Sequence, residues 1–148
     1  MVGMGYVGMS NATLLAKNFS VTAIDLDAKR ISLINNNRSP IEDDLISEYL
    51  ERKDLDLIAK ESKNISYAKA DFVVIATPTN YNLETAQFDT ESVELVIKSV
   101  LIENRNVCII IKSTIPVGFT KKIRKKFNYD DIYFSPEFLR EGRALQDN

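Results

Sequence analysis

The residues nearest the start of the chain have the types and spacing needed to bind a nucleotide phosphate. The segment Gly3 to Gly8 reads Gly-Met-Gly-Tyr-Val-Gly, which matches G-x-G-x-x-G, and a predicted helix follows it. In such a turn the first glycine permits the bend, the second lets the backbone approach a pyrophosphate, and the third lets the helix pack closely on a strand. The pattern alone does not distinguish a nucleotide site from a glycine turn that binds nothing.

A carboxylate at the end of the next predicted strand favours the nucleotide. The run Val21-Thr22-Ala23-Ile24 ends in Asp25, about 20 residues past the glycines, where a carboxylate accepts hydrogen bonds from ribose hydroxyls. The same charge would repel the 2'-phosphate of NADP, so we predict NAD as the cofactor. Two alternatives are a solvated aspartate in a turn, and a phosphate contact from the nearby cation Arg30.

Two turns that combine hydroxyl side chains with proline follow two later predicted strands. The first is Ala76-Thr77-Pro78-Thr79, and the second, Lys112 to Gly118, reads Lys-Ser-Thr-Ile-Pro-Val-Gly and precedes a helix. Ligands bind at the carboxyl ends of strands in parallel sheets. Each turn alone is equally explained by a proline turn or a helix cap. Because both turns fall on the sheet edge that holds the glycine turn, we predict that they face the ligand.

Two carboxylates four residues apart lie near the end of the sequence. Residues 135–142 read Ser-Pro-Glu-Phe-Leu-Arg-Glu-Gly and include Glu137 and Glu141. On a turn or helix the two could face one way, one polarising a water and the other orienting a substrate or cofactor. Spacing alone favours the alternative, a solvated helical face on which Arg140 pairs with a carboxylate.

Apolar, β-branched runs alternate with amphipathic stretches and must position these groups. The alternation predicts an α/β fold, a doubly wound, Rossmann-like parallel sheet with right-handed crossovers. A single domain over residues 1–148 is expected for a chain of this length. The predicted strands are 21–24, 72–76, 107–111 and 132–134, and the predicted helices are 7–18, 27–36, 43–52, 90–103 and 118–127.

The first strand of such a sheet is expected to be missing or reduced to a stub, because only Met1 and Val2 precede the glycine turn. That strand is central in a doubly wound sheet, and its loss would leave inner edges unpaired. We therefore expect an incomplete domain, cut at both ends.

Composition excludes several classes of function. A net charge of −2 with both signs scattered argues against nucleic acid or an anionic membrane as a partner, and the basic run 121–126 is expected to be a solvated helix face.

The chain has no histidine, which excludes imidazole chemistry and histidine metal sites, and we expect no metal. The one cysteine, Cys108, lies in an apolar run, which suits a cytoplasmic protein without disulfides.

In series, these segments resemble the N-terminal, NAD-binding domain of the UDP-glucose/GDP-mannose dehydrogenase family. The resemblance covers essentially all 148 residues, with the motifs in the same order and at the same spacing. The amino-acid sequences of residues 112–118 and 135–142 are most similar to those of the family members that act on UDP-glucose.

The resemblance implies a two-step, four-electron oxidation of the sugar C6 alcohol to a carboxylate, with two NAD and a cysteine-bound thioester. By analogy, Glu137 would activate the hydrolytic water, and Thr114 would help hold that water or the reacting C6 oxygen. The UDP-sugar would be bound by Glu137, Phe138, Leu139, Arg140 and Glu141, with Glu141 also beside the nicotinamide. The implied NAD contacts are Gly3, Gly5, Tyr6, Val7, Gly8, Asp25, Arg30, Thr79, Thr114 and Glu141.

The family's nucleophilic cysteine and most of its sugar pocket belong to a central helix and a C-terminal domain that have no counterpart here. Cys108 is a poor substitute, because a thiolate is disfavoured inside a buried strand. We therefore predict that this polypeptide alone does not turn over substrate, and that the full-length protein is a homodimer or larger homo-oligomer. The alternatives are a sister enzyme acting on UDP-N-acetylmannosamine or GDP-mannose, and a nucleotide-binding module without catalysis.

Overall fold

The computed structural model describes residues 1–83 and 87–148 of the chain. The chain divides into two compact units. The first unit consists of Met1–Ile65 and Glu137–Asn148, and the second consists of Ser66–Pro136. The first is therefore built from two separate stretches of sequence.

Helices alternate with parallel strands in the first unit. Strands β1 (Val21–Asp25) and β2 (Leu57–Glu61) pair in parallel, in register from Val21 opposite Leu57 to Asp25 opposite Glu61. The elements are helix α1 (Tyr6–Leu15), strand β1 (Val21–Asp25), helices α2 (Ala28–Asn35) and α3 (Asp44–Glu51), strand β2 (Leu57–Glu61), a 3₁₀ turn (Ser62–Asn64) and the short helix α6 (Ala144–Asp147).

Two of these helices begin where an aspartate can cap them. The Asp27 carboxylate accepts from the Lys29 backbone N–H at 2.8 Å at the start of α2, and Asp43 accepts from the Ile46 N–H at 3.1 Å at the start of α3. Each bond satisfies a backbone donor that the first helical turn cannot pair internally. The core beneath the helices is apolar and includes the fully buried side chains of Met4, Met9, Ala12, Ala23 and Ile46.

The predicted stub of a first strand is present beside β1. The Ile24 N–H donates to the Met1 carbonyl at 2.8 Å, and the Gly3 N–H donates to the Ile24 carbonyl at 2.8 Å. Val2 thereby forms a parallel bridge with Ile24. The backbone thus runs along β1 for three residues and then bends into the glycine turn.

The second unit contains a three-stranded parallel sheet in the order β3 (Phe72–Ile75), β6 (Cys108–Ile111) and β7 (Ile132–Phe134). Apolar side chains from both helices and strands fill its core, with Ile75, Val93, Ile97, Ile109 and Ile123 completely or almost completely buried. The elements are β3 (Phe72–Ile75), a hairpin of β4 (Tyr81–Asn82) and β5 (Gln87–Phe88), α4 (Glu91–Glu103), β6 (Cys108–Ile111), α5 (Phe119–Phe127) and β7 (Ile132–Phe134).

The Rossmann-like α/β prediction is confirmed, although the parallel strands lie in small sheets of two and three strands. Five predicted helices and four predicted strands are present with ends shifted by up to three residues. Strand β2, the β4–β5 hairpin and α6 were not predicted. In β2 the apolar residues Leu57, Ile58 and Ala59 are followed by Lys60 and Glu61, so the apolar run is shorter than the roughly four to eight residues by which a buried strand is identified.

Candidate functional site

The three glycines of the turn before α1 meet three different requirements. Gly3 has φ of 89°, a left-handed conformation that non-glycine residues rarely adopt. A Cβ added at Gly8 would lie only 1.7 Å from the Gly3 carbonyl oxygen, whereas a Cβ at Gly5 would meet nothing within 4 Å. The turn is therefore closed at its base by the contact between Gly8 and Gly3, and open at Gly5, where a ligand can approach the backbone.

The carboxylate of Asp25 holds this turn from the end of β1. Its Oδ2 accepts from the Met4 backbone N–H at 2.7 Å, and its Oδ1 accepts from the Asp27 N–H at 2.9 Å. Only 11% of the side chain is exposed. The sequence predicts a ribose contact for Asp25 but does not indicate this bond to Met4, which joins residues 21 positions apart.

Two carboxylates balance the charge of Arg30. Its NH1 lies 3.6 Å from Asp25 Oδ2, and its Nε lies 4.0 Å from Asp27 Oδ2. The cation is therefore engaged with acidic neighbours at the tip of β1, which disfavours its use as the receptor for a 2'-phosphate.

The start of α1 suits an anion. Gly5 occupies the N-cap position with no side-chain cap, and the first turn, which contains Tyr6 and Val7, carries no acidic residue. Backbone N–H groups at a helix N-terminus attract phosphate through their partial positive charge. With the open position at Gly5, these residues fit the pyrophosphate of NAD.

The segment that carries Glu137 also belongs to the first unit. Residues 137–140 are not helical, and a turn covers Glu141 and Gly142, so the alternative of a helical face carrying both glutamates is wrong. Gly142 has φ of 77°, a conformation that ends any regular helix there. Glu137 and Leu139 are half-buried, whereas Phe138, Arg140 and Glu141 are exposed.

The partner of Arg140 is Asp147, a residue that no motif in the sequence indicated. The guanidinium donates from NH2 to Asp147 Oδ1 at 2.7 Å and from Nε to Oδ2 at 3.0 Å, and the Arg140 backbone N–H adds a bond of 2.9 Å. The hydrogen bonds from Arg140 lower the pKa of Asp147 to about 2. This pair closes the loop from Glu137 to α6.

Asn11, Phe138 and Asn148 donate to the Glu137 carboxylate. Asn11 Nδ2 of α1 lies 3.4 Å from Oε2, and the Phe138 N–H lies 3.2 Å from Oε1. With its amide turned so that donors meet acceptors, Asn148 donates to Oε2 at 3.0 Å and to Oε1 at 3.1 Å. Glu137 is thus linked to the helix that begins at the glycine turn, which no sequence pattern indicated.

In the second unit, the two hydroxyl–proline turns contact each other. The Ser113 hydroxyl, which is buried, donates to the Thr77 carbonyl at 2.7 Å. The Thr77 hydroxyl lies 3.0 Å from the Ser92 hydroxyl, which itself donates to the Pro78 carbonyl at 2.9 Å. Ser113 belongs to the motif of residues 112–118, whereas no pattern in the sequence points to Ser92, because α4 is distant in sequence from both turns.

The remaining predicted contacts in this unit are Thr79, which is half-buried after β3, and Thr114, which is exposed after β6. Both follow the carboxyl ends of neighbouring strands. Their convergence with the glycine turn, Asp25 and Glu137 stays a prediction.

Cys108 lies at the start of β6, and burial together with the nearby Asp131 carboxylate raises the pKa of its thiol. A raised pKa lowers the fraction of the nucleophilic thiolate. Across residues 1–83 and 87–148, His, Cys, Asp and Glu form no group of three or more that could hold a metal ion. Over the same residues, no helix has the length and apolar character required to span a membrane.

Comparison with known proteins gives a family match and curated relatives. The model of the UDP-glucose/GDP-mannose dehydrogenase family, NAD binding domain, matches residues 1–148. UDP-glucose 6-dehydrogenase of Streptococcus pneumoniae is 49% identical over 148 residues, and that of Campylobacter jejuni is 47% identical over 150 residues. Each match covers 100% of this chain and 38% of the relative.

Solved structures show the same fold. A UDP-glucose dehydrogenase from Pyrobaculum islandicum superposes with a TM-score of 0.81 at 28% identity, covering 99% of this chain and 37% of the other. A GDP-mannose dehydrogenase from Pseudomonas aeruginosa gives a TM-score of 0.83 at 23% identity, with the same coverage.

Proposed function

Because the chain belongs to the UDP-glucose/GDP-mannose dehydrogenase family, we propose that it is the NAD-binding part of an enzyme that oxidises UDP-glucose to UDP-glucuronate. The chain spans 38% of the length of the UDP-glucose 6-dehydrogenases that it matches. The complete reaction therefore belongs, in this proposal, to a polypeptide of the relatives' length.

One observation carries the proposal, namely the glycine turn tied to Asp25. The Met4 N–H bond fixes the turn against the tip of β1, and the open position at Gly5 leaves the backbone accessible. A dinucleotide needs both features together, since its pyrophosphate lies on the helix N-terminus and its ribose beside the acidic strand end.

UDP-glucose is favoured as the substrate by the two curated relatives at 49% and 47% identity, both UDP-glucose 6-dehydrogenases. The structural match to a GDP-mannose dehydrogenase at 23% identity supports the fold alone. UDP-N-acetylmannosamine and GDP-mannose are therefore the comparison substrates of the test.

We assign the residue roles by the family resemblance. Glu137 activates the water that hydrolyses the acyl intermediate, and Thr114 holds that water or the C6 oxygen. Glu141 lies beside the nicotinamide, and the backbone of residues 138–140 binds the UDP-sugar. The half-buried carboxylate of Glu137, hydrogen-bonded to α1, supports its assignment, because a fixed carboxylate is what general-base catalysis requires.

The family's nucleophilic cysteine has no counterpart in the chain, since Cys108 lies in β6 with a raised thiol pKa. We therefore expect the 148-residue chain to bind NAD without turning over substrate. A cytoplasmic location, a role in polysaccharide biosynthesis and a homo-oligomeric complete enzyme belong to the same proposal.

Calorimetric titration of the chain with NAD tests the cofactor site. We expect a single site for NAD and much weaker binding of NADP, because Asp25 and Asp27 oppose a 2'-phosphate. The variant Gly5→Val is expected to lose NAD binding and stay folded. Its side chain enters open space and should block the pyrophosphate without unfolding the protein. A folded chain that gives no heat with NAD would contradict the proposal.

The substrate is tested with an enzyme of the relatives' length that contains this chain. UDP-glucose should yield two NADH per sugar, and UDP-N-acetylmannosamine and GDP-mannose should yield little. Preference for either comparison substrate would reject UDP-glucose while leaving the NAD site intact. Steady NADH production by the 148-residue chain alone would reject the assignment of the nucleophile to another region.

A further inference from the structure

We propose that Asn11 and Asn148 are positioning residues that hold the Glu137 carboxylate in its working orientation. The inference rests on the proposed role of Glu137 as the base that activates water. It adds two residues to which neither the sequence motifs nor the family match assigns a role.

Asn11 has one amide N–H committed to its own helix and the other available to Glu137. Its Nδ2 donates to the Val7 carbonyl at 2.9 Å, which fixes the direction of the amide from a rigid part of α1. The same nitrogen lies 3.4 Å from Glu137 Oε2. Because a primary amide nitrogen carries two hydrogens, both contacts can form at once.

Asn148 approaches the carboxylate from the other end of the segment. Its amide donates to Oε2 at 3.0 Å and to Oε1 at 3.1 Å, while its own oxygen accepts from the Ser10 hydroxyl at 2.6 Å. Ser10 belongs to α1 and is completely buried. Because the Glu137 carboxylate can only accept, the Asn148 amide turns its nitrogen towards Glu137 and its oxygen towards the Ser10 hydroxyl.

The Asn11 contact joins Glu137 directly to α1, and the Asn148 contact joins it to α1 through Ser10. The N-terminus of α1 is formed by the glycine turn. The segment around Glu137 has no regular structure, so its own backbone gives the side chain little orientation. Amide donors can orient a carboxylate without placing a positive charge beside it. A base aligned in this way avoids the loss of rate that follows a displacement of about 1 Å.

A double-mutant cycle in an enzyme of the relatives' length that contains this chain tests the proposal. The variants are Asn11→Ser, Asn148→Ala and Glu137→Gln, singly and combined. Serine at position 11 keeps a hydroxyl donor for the Val7 carbonyl, a bond that serine commonly makes in helices, and is too short to reach Glu137. Asn36→Ala is the matched control, because Asn36 makes the same type of bond to the Ser32 carbonyl at 2.7 Å on α2.

Each asparagine variant should lower kcat by roughly 10- to 100-fold, the range typical of losing an outer hydrogen-bond partner of a functional residue. The dissociation constant for NAD and the melting temperature should stay at the wild-type values. In the Glu137→Gln background, neither asparagine change should lower kcat further, since the carboxylate on which both act is gone. Asn36→Ala should leave kcat unchanged.

Three outcomes would overturn the proposal, and they separate it from the proposed function. Wild-type kcat in Glu137→Gln would reject the role of Glu137 itself. A severe loss in Glu137→Gln with wild-type kcat in both asparagine variants would reject positioning alone. Equal losses from Asn11→Ser with and without Glu137 would show that Asn11 acts on the fold and not through the carboxylate.

Discussion

Replacing Gly8 by alanine provides a direct test of how the glycine turn is built. The added Cβ would lie 1.7 Å from the Gly3 carbonyl oxygen and 2.9 Å from the Gly3 carbonyl carbon. Both atoms are backbone, so no side-chain rotation can relieve the overlap. An ordinary van der Waals separation would require the Gly3 peptide to move by roughly 1.5 Å.

Two opposing effects decide the stability of Gly8→Ala. Alanine favours the helical interior over glycine by about 1 kcal/mol. Forcing extra volume into a packed site costs about 1–3 kcal/mol and occasionally more, and a clash with backbone belongs at the upper end. The net change is a destabilisation of about 2 kcal/mol, which corresponds to roughly 4–8 °C in melting temperature for a protein of this size.

Thermal unfolding followed by circular dichroism, together with calorimetric titration with NAD, measures the effect. Gly8→Ala should unfold at lower temperature and bind NAD at least about 100-fold more weakly, since the displaced peptide belongs to the phosphate turn. Gly5→Ala is the control. Its Cβ meets nothing within 4 Å, and its backbone, with φ of −81° and ψ of −165°, suits alanine, so its melting temperature should stay close to the wild type.

Gly8→Ala with an unchanged or higher melting temperature would refute the argument, because the helix preference would then outweigh the contact. An equal loss of stability in Gly5→Ala would also refute it. In that case the cost would come from replacing a glycine and not from the approach of Gly8 to Gly3.

Three further predictions concern the first unit. Asp25→Asn should lower the free energy of unfolding in urea by about 1.5–3 kcal/mol, since the Met4 N–H loses a charged acceptor; an unchanged value would show that the bond contributes nothing to stability. Asp147 has a pKa lowered to about 2 by Arg140, so the pair stabilises the fold above pH ~4 and loses this contribution as the pH falls towards 2. Arg140→Gln should therefore unfold at a higher pH in an acid titration, and coincident titration curves would contradict this. The hydroxyl of Thr13 is buried with no hydrogen-bond partner in the described part of the chain, and Thr13→Val should raise the free energy of unfolding by about 1 kcal/mol, whereas a decrease would indicate an unseen partner.

Helix starts and buried strands were predictable because their signals are local. Asp27 and Asp43 precede their helices and cap them as their types suggest. The apolar runs that became β3 and β6 are recognisable from composition alone. By contrast, β2 places two charged residues in five positions, and its identity as a strand comes from pairing with β1, which no local window contains.

The residue types of the candidate site were predictable, but their partners were not. The sequence indicates that Asp25 belongs near the glycine turn, because the spacing of the fingerprint requires it. It does not indicate that Asp25 accepts from Met4, that Ser113 donates to Thr77, or that Asn11 contacts Glu137, since these pairs lie 21, 36 and 126 residues apart. Such contacts follow from the path of the chain in space and leave no periodic signal.

The discontinuous composition of the first unit has a consequence for synthesis on the ribosome. Helix α6 contacts the N-terminal stretch of the unit through the Leu145 N–H, which lies 3.4 Å from the Asp43 carboxylate. These two residues are 102 positions apart in sequence. During translation, the first unit therefore lacks part of its residues until 137–148 have been synthesised, whereas residues 66–136 form an uninterrupted unit. Since domains generally fold as they emerge, the later-translated second unit can reach its native state before the first is finished.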